Sequence, residues 1–173
     1  MDSRSLLLLG MLKAHSRHGY QINEIIEHNL SYFIDIKKST AYTILDRLSE
    51  AGLVSMTTQQ EGNRPPRKVY SITPTGERKF HQLLRENLEM LDLQYFEEDV
   101  GMIFIDHLPA AEAQHALKEK LRRVDEQIEI YQAVPHHEVG SGVNIAISHH
   151  LHLLNAEKEW LLQLISQETT LEW

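Results

Sequence analysis

Between residues 39 and 91 the hydrophobic period changes from helical to strand-like and back, and that change restricts the fold more than any other feature of the chain. From Ser39 the apolar positions Ala41, Ile44, Leu45 and Leu48 recur at i, i+3, i+4 and i+7, one stripe of a helix. Ser39 is a suitable N-cap for it, and Ala51-Gly52 ends it with Gly52 at the C′ position. Leu53–Thr57 and Arg67–Ile72 then have the composition of strands. Between them Thr58–Pro66 is polar and contains Gly62-Asn63 and Pro65-Pro66, so the pair predicts a hairpin with a long tip. Thr73-Pro74 restarts a helix, Thr73 as N-cap and Pro74 at the first position, carrying Phe80, Leu83, Leu84, Leu88 and Leu91.

Upstream, Leu6, Leu7, Leu9, Met11 and Leu12 predict a short apolar helix. Gly19 breaks the chain, and Tyr20, Ile22, Ile25, Ile26, Leu30 and Phe33 follow at the spacing of a second helix. Three helices, a hairpin and a further helix, in that order, describe a winged helix-turn-helix. In that arrangement the second helix braces the third, the third enters the major groove, and the hairpin tip reaches the neighbouring phosphates.

The remainder predicts only helices. Tyr95–His107 reads as a short apolar one containing Met102, Ile103, Phe104 and Ile105, closed by Leu108-Pro109. A long helix starts near Ala110, with Leu117, Leu121, Val124, Ile128 and Tyr131 forming a heptad seam. After a loop marked by Pro135, Gly140 and Gly142, a last helix over about 143–166 is apolar on nearly every side. Such a helix needs cover on several faces, more than one small chain supplies, and a second subunit is the economical source. The expected fold is therefore mainly α with a small β-hairpin. A winged helix-turn-helix DNA-binding domain takes residues 1–92, and a helical dimerisation domain takes 93–173.

A net charge of -8 argues against nucleic acid until its distribution is considered. Residues 1–80 hold 11 Lys/Arg against 8 Asp/Glu, whereas residues 81–173 hold 6 against 17. A phosphate-binding surface needs only local positive charge. Cysteine is absent, which removes disulfides, thiolate metal sites and cysteine nucleophiles together. Leu6–Leu12 is too short to span a bilayer, is broken by Lys13 and His15, and lacks a small-residue cleavage site, so the expectation is a soluble cytoplasmic protein with no membrane partner.

Opposite the apolar stripe of the third helix lie Ser39, Thr40, Thr43, Asp46 and Arg47, with Tyr42 on the flank and Lys37 and Lys38 just before. Small hydroxyls flanked by cations fit a groove and can bond bases or phosphates, although a solvated helix face would have the same composition. The hairpin adds Arg64, Arg67 and Lys68 against Glu61 alone, which is also how an edge strand is protected. The candidate DNA contacts are thus Lys37, Lys38, Ser39, Thr40, Tyr42, Thr43, Arg47, Arg64, Arg67 and Lys68.

Five stretches carry a specific resemblance: Leu9-Gly10-Met11-Leu12, His18-Gly19-Tyr20-Gln21-Ile22, Ser39 through Leu48, Glu50-Ala51-Gly52-Leu53-Val54, and Arg67 through Gly76. Together they resemble the PadR family of bacterial transcriptional regulators over about residues 5–90, and the strand running into Thr73-x-x-Gly76 is the most telling. The C-terminal half resembles, more weakly, the longer subgroup with a helical dimerisation tail. The resemblance implies a homodimer on palindromic double-stranded DNA, usually a repressor, often released by a small effector, for which an aromatic molecule is the candidate. Many members have Gly where Ser39 stands and Pro where Thr43 stands, so the base contacts of this chain differ from theirs.

Two rival classes remain. Eleven histidines, eight of them after residue 80, include His149 and His152 at i, i+3, with His136, His137 or Glu138 to complete a metal site; no zinc-enzyme pattern accompanies them. The C-terminal helices could instead bind a different protein. Glu97-Glu98-Asp99 is a charge run, and no nucleophile elbow, P-loop or dinucleotide fingerprint is present, so neither an enzyme nor a cofactor nor a metal is expected. Trp160 reads as core, or as an aromatic surface on which a planar effector could stack.

Overall fold

The computed structural model describes residues 3–14, 17–18, 22, 34, 36–60, 66–91, 96–135 and 142–167. The element order is α1 (Ser3–Ala14), β1 (Arg17–His18), α2 (Lys38–Glu50), β2 (Val54–Gln59), β3 (Arg67–Ile72), α3 (Pro74–Leu88), α4 (Asp99–Ile103), a 3₁₀ turn (Ile105–His107), α5 (Ala110–Ala133) and α6 (Gly142–Gln167). The expected second helix, from Tyr20 to Phe33, falls almost wholly outside the described residues, as does Arg64. Two compact units, Met1–Leu93 and Gln94–Trp173, divide the chain.

In the first unit one core gathers Leu8, Leu9 and Leu12 of α1, Ala41, Ile44, Leu45 and Leu48 of α2, Val54 and Tyr70 of the hairpin, and Leu83 of α3. The stripe read for the third helix is therefore the buried face of α2. Burying a Leu or Ile side chain stabilises by about 1.5–3 kcal/mol, which outweighs the weak helix propensity of Thr40, Tyr42 and Thr43. Gly10 lets α1 approach α3, since a Cβ there would stand 3.0 Å from the Phe80 ring.

The end of α2 is a Schellman turn. Gly52 takes φ +69°, its N–H donates to the Ser49 carbonyl, and the Leu53 N–H donates to the Leu48 carbonyl. The strand thus begins at Val54, one residue later than the sequence suggested, because Leu53 completes the turn.

Leu53 is then clamped by the start of α3. Its carbonyl accepts from the Thr73 N–H at 3.0 Å and lies 3.1 Å from the Thr73 hydroxyl, which also donates to the Gly52 carbonyl at 2.8 Å. The Thr73 oxygen in turn caps α3 by accepting from the Gly76 N–H at 3.0 Å. A Cβ on residue 76 would stand 2.0 Å from the Leu53 carbonyl oxygen. The spacing Thr73-x-x-Gly76 is therefore a physical requirement: the threonine ties the wing to the end of α2, and only glycine leaves room for the knot.

The wing pairs β2 with β3 antiparallel, from Val54 opposite Ile72 to Gln59 opposite Arg67. On the other edge of β3 lies β1, Arg17 opposite Tyr70 and His18 opposite Val69, giving the sheet order β1-β3-β2. The sequence offered no sign of β1, because two residues are too few to show alternation.

Two further expectations change. Ser39 is not the N-cap of α2; the helix starts at Lys38, with Lys37 in the extended conformation before it. The Ala41 N–H already bonds the Lys37 carbonyl, so the turn that positions Ala41 in the core begins one residue before Ser39. Tyr95–His107 is not one helix: α4 ends at Ile103 with Phe104 as its C-cap, and a 3₁₀ turn follows. Val100, Ile103 and Phe104 stay exposed, so no buried stripe sustains a longer helix. The heptad seam, finally, is used inside the chain. Leu117, Val124 and Ile128 of α5 pack with Leu161 of α6.

The pairs Lys120–Glu157 and Lys158–Asp125, each 2.7 Å, and the stack of Tyr131 on His150, with ring centroids 4.9 Å apart, show α5 and α6 running antiparallel. Ile145, Leu153, Trp160 and Leu162 remain exposed on α6. Among the described residues, no helix is long and apolar enough to cross a membrane.

Candidate nucleic-acid interface

The outer face of α2 presents Lys38, Ser39, Thr43, Asp46 and Arg47 to solvent, with Lys37 exposed at the N-cap. Thr40 and Tyr42 are half-buried, and Tyr42 packs against the core of the first unit. Thus six of the seven α2 candidates lie on or beside one open face, while Tyr42 divides its surface between core and solvent.

The two helix starts of this unit differ electrostatically. At α3 the Thr73 side chain caps the first turn and Glu77 supplies a negative charge. At α2 the N-cap residue Lys37 makes no side-chain cap among the described residues, the first turn holds no acid, and two lysines stand there instead. Free N–H groups and the positive end of the helix dipole already favour an anion, and placing cations beside them costs stability unless one arrives. A phosphate is the group such an end accommodates.

One hydroxyl of this face is already engaged, since Thr43 Oγ1 donates to the Ser39 carbonyl at 2.9 Å.

On the wing, Arg67 and Lys68 are both exposed. They are consecutive on β3, opposite Gln59 and Thr58 respectively, so they project from opposite faces of the hairpin. Lys68 shares the face of the buried Tyr70, and Arg67 that of Val69. The third wing candidate, Arg64, lies outside the described residues.

Tyr70 was not among the candidates, yet it joins the wing to α2. It is fully buried and its hydroxyl has no hydrogen-bond partner among the described residues. Burial, then the charge of Asp46, then Tyr42 raise its pKa above the ordinary phenol value. Its composition signal was that of any strand aromatic, and only the packing of the wing against α2 brings it near Asp46 and Tyr42. Asp46, the discordant acid of this face, thus lies close to the wing's anchor.

In the second unit an open cavity of about 630 Å³ is bordered by Tyr131, Ile147, Leu151, His152 and Asn155. This volume lies in the range of small-molecule sites. The histidines do not converge there: His152 Nδ1 is 2.6 Å from the Ser148 carbonyl, and His150 stacks on Tyr131. Among the described residues no group of three His, Cys, Asp or Glu side chains could hold a metal ion. His136, His137 and Glu138 are outside the described residues.

Residues 8–82 match the sequence model described as "Transcriptional regulator PadR-like family". The chain is 26% identical over 116 residues to the negative transcriptional regulator PadR of Bacillus subtilis (strain 168), a match that takes in 67% of this chain and 64% of that protein, slightly under two thirds of the relative's length. Its fold is similar to crystal structures of the Bacillus subtilis PadR in complex with operator DNA and in complex with p-coumaric acid. Each aligns with a TM-score of 0.81 at 20% identity, over 95% of this chain and 98% of the other.

Proposed function

The chain belongs to the PadR-like family of transcriptional regulators, and from that premise we propose that it is a homodimeric repressor whose α2 enters the major groove of an inverted-repeat operator. The start of α2 supports this reading: its N-cap residue Lys37 makes no side-chain cap, its first turn contains no acid, and Lys37 and Lys38 stand there. Lys37, Lys38 and the first-turn amides hold phosphates. Ser39, Thr40 and Thr43 face the bases, with Arg47 beyond them and Tyr42 packing its edge against the backbone. Arg64, Arg67 and Lys68 place the wing on the flanking strand. Because Arg67 and Lys68 project from opposite faces, they grip two different phosphates.

The second subunit covers Ile145, Leu153 and Trp160 of α6, which one chain leaves in water. A small aromatic effector releases the repressor from DNA. The cavity beside Tyr131 and the p-coumaric acid complex of the Bacillus subtilis protein support that part of the reading. The protein works in the cytoplasm, binds no membrane and catalyses no reaction.

Gel-shift titration with heparin competition tests the DNA reading. The wild-type chain is expected to hold a specific duplex against heparin, and Lys38→Glu to release it. Equal retention by both, or loss of every complex at low heparin, contradicts the reading and favours a protein partner for the second unit.

A further inference from the structure

Thr43 is exposed on the outer face of α2. Its side chain has two groups with which to meet a base edge, a hydroxyl and a γ-methyl. The hydroxyl is occupied, donating to the Ser39 carbonyl at 2.9 Å. A threonine hydroxyl has one hydrogen to give, so while this bond stands Thr43 offers no donor outward. The bond also fixes the rotation about Cα–Cβ, since a β-branched side chain in a helix has few staggered positions available. The oxygen keeps its acceptor lone pairs, but it is held back along the helix toward Ser39, and the γ-methyl, the other substituent on Cβ, is the apolar group the side chain has for the exposed face.

In the major groove only thymine carries a methyl, at C5, and the other three bases expose hydrogen-bonding groups alone. We infer that Thr43 is a specificity-determining residue that selects thymine by packing its γ-methyl against the thymine C5-methyl. The inference rests on α2 entering the major groove as proposed above. The same bond explains how a threonine is tolerated at this point of a helix that must enter a groove. The hydroxyl is satisfied within the helix, and no polar group is stranded when the face is dehydrated.

Two substitutions separate the groups. Thr43→Val keeps the methyl and discards the hydroxyl; Thr43→Ser does the reverse. Each is titrated on the duplex preferred by the wild type and on duplexes in which single thymines are replaced by uracil, which differs only by the absent methyl. Wild type and Thr43→Val are expected to lose about fourfold in affinity per half-site at the same thymine, the worth of one buried methyl. Thr43→Ser is expected to bind the thymine duplex as weakly as the wild type binds the uracil one, and to ignore the exchange. Discrimination retained by Thr43→Ser and lost by Thr43→Val overturns the inference in favour of a hydroxyl contact. A wild type that binds tightly but responds to uracil at no position overturns it as well. Absence of binding to any duplex overturns the proposed function together with it. Melting curves of both variants should match the wild type, because the site is exposed.

Discussion

Replacing Gly76 by alanine should damage the joint between the wing and α2, with a cost that follows from the distances there. The added Cβ would stand 2.0 Å from the Leu53 carbonyl oxygen and 2.9 Å from Ile72 Cγ1. Carbon and oxygen settle no closer than about 3.3 Å, so the backbone segments must separate by more than about 1 Å, and neither is a flexible side-chain end. Forcing an extra carbon into a packed site costs about 1–3 kcal/mol, and the upper figure applies where backbone must yield. The movement also stretches the Thr73 N–H bond to the Leu53 carbonyl, now 3.0 Å, a loss of about 1 kcal/mol. The better helix propensity of alanine offsets about 1 kcal/mol, leaving a net loss of about 3 kcal/mol. For a unit of this size that lowers the melting temperature by about 10–20 °C. Thermal melts followed by circular dichroism measure it, with Gly101→Ala as the control, because a Cβ at 101 meets nothing within 4 Å. If Gly76→Ala melts within about 2 °C of the wild type, the clamp reasoning is wrong.

Arg67→Ala and Lys68→Ala should each weaken binding to all DNA sequences alike and reduce the slope of log affinity against log salt by about one; an effect confined to the preferred site would refute a phosphate role. Leu153→Glu and Ile145→Glu, on exposed α6 positions, should convert the proposed dimer to a monomer by light scattering while helicity is kept. These variants test the interface better than removal of α6, which would also strip cover from Leu117 and Val124. The His150 imidazole is held below its ordinary pKa of 6.5 by burial and then by His149. The unfolded chain therefore binds this proton more readily, and its contribution is complete above about pH 6.5 and lost as pH falls through the depressed pKa. The urea midpoint should drop between pH 7.5 and 5.5, and drop less in His150→Gln; identical profiles would dismiss the contribution.

Much of the first unit was legible because its signals are local. The stripe Ala41, Ile44, Leu45, Leu48 needs only a helical period, Gly52 only a left-handed turn, and Thr73-Pro74 only a cap and a fixed φ. What escaped depends on residues distant in sequence. β1 exists because Tyr70 and Val69 offer it an edge. The start of α2 at Lys38 is fixed by where the core needs Ala41. In the second unit the seam on α5 was readable as a seam, but a heptad pattern does not say whether its partner is another chain or, as here, Leu161 of the same one. The candidate DNA face was legible as a set of residues, and its chemistry only in part. The wheel placed Thr43 outward, whereas the commitment of its hydroxyl to Ser39 is a rotamer choice that composition does not encode. Likewise the opposite projection of Arg67 and Lys68 follows from consecutive strand positions once the pairing is known.

Two copies of this chain are proposed to read one duplex through paired α2 helices, and selection of bound sequences from randomised DNA tests this most directly. The expected product is an inverted repeat whose half-sites are centred about one helical turn apart, or a multiple of that, bound by two chains per duplex. Enrichment of no sequence, or of a single asymmetric site occupied by one chain, would contradict it.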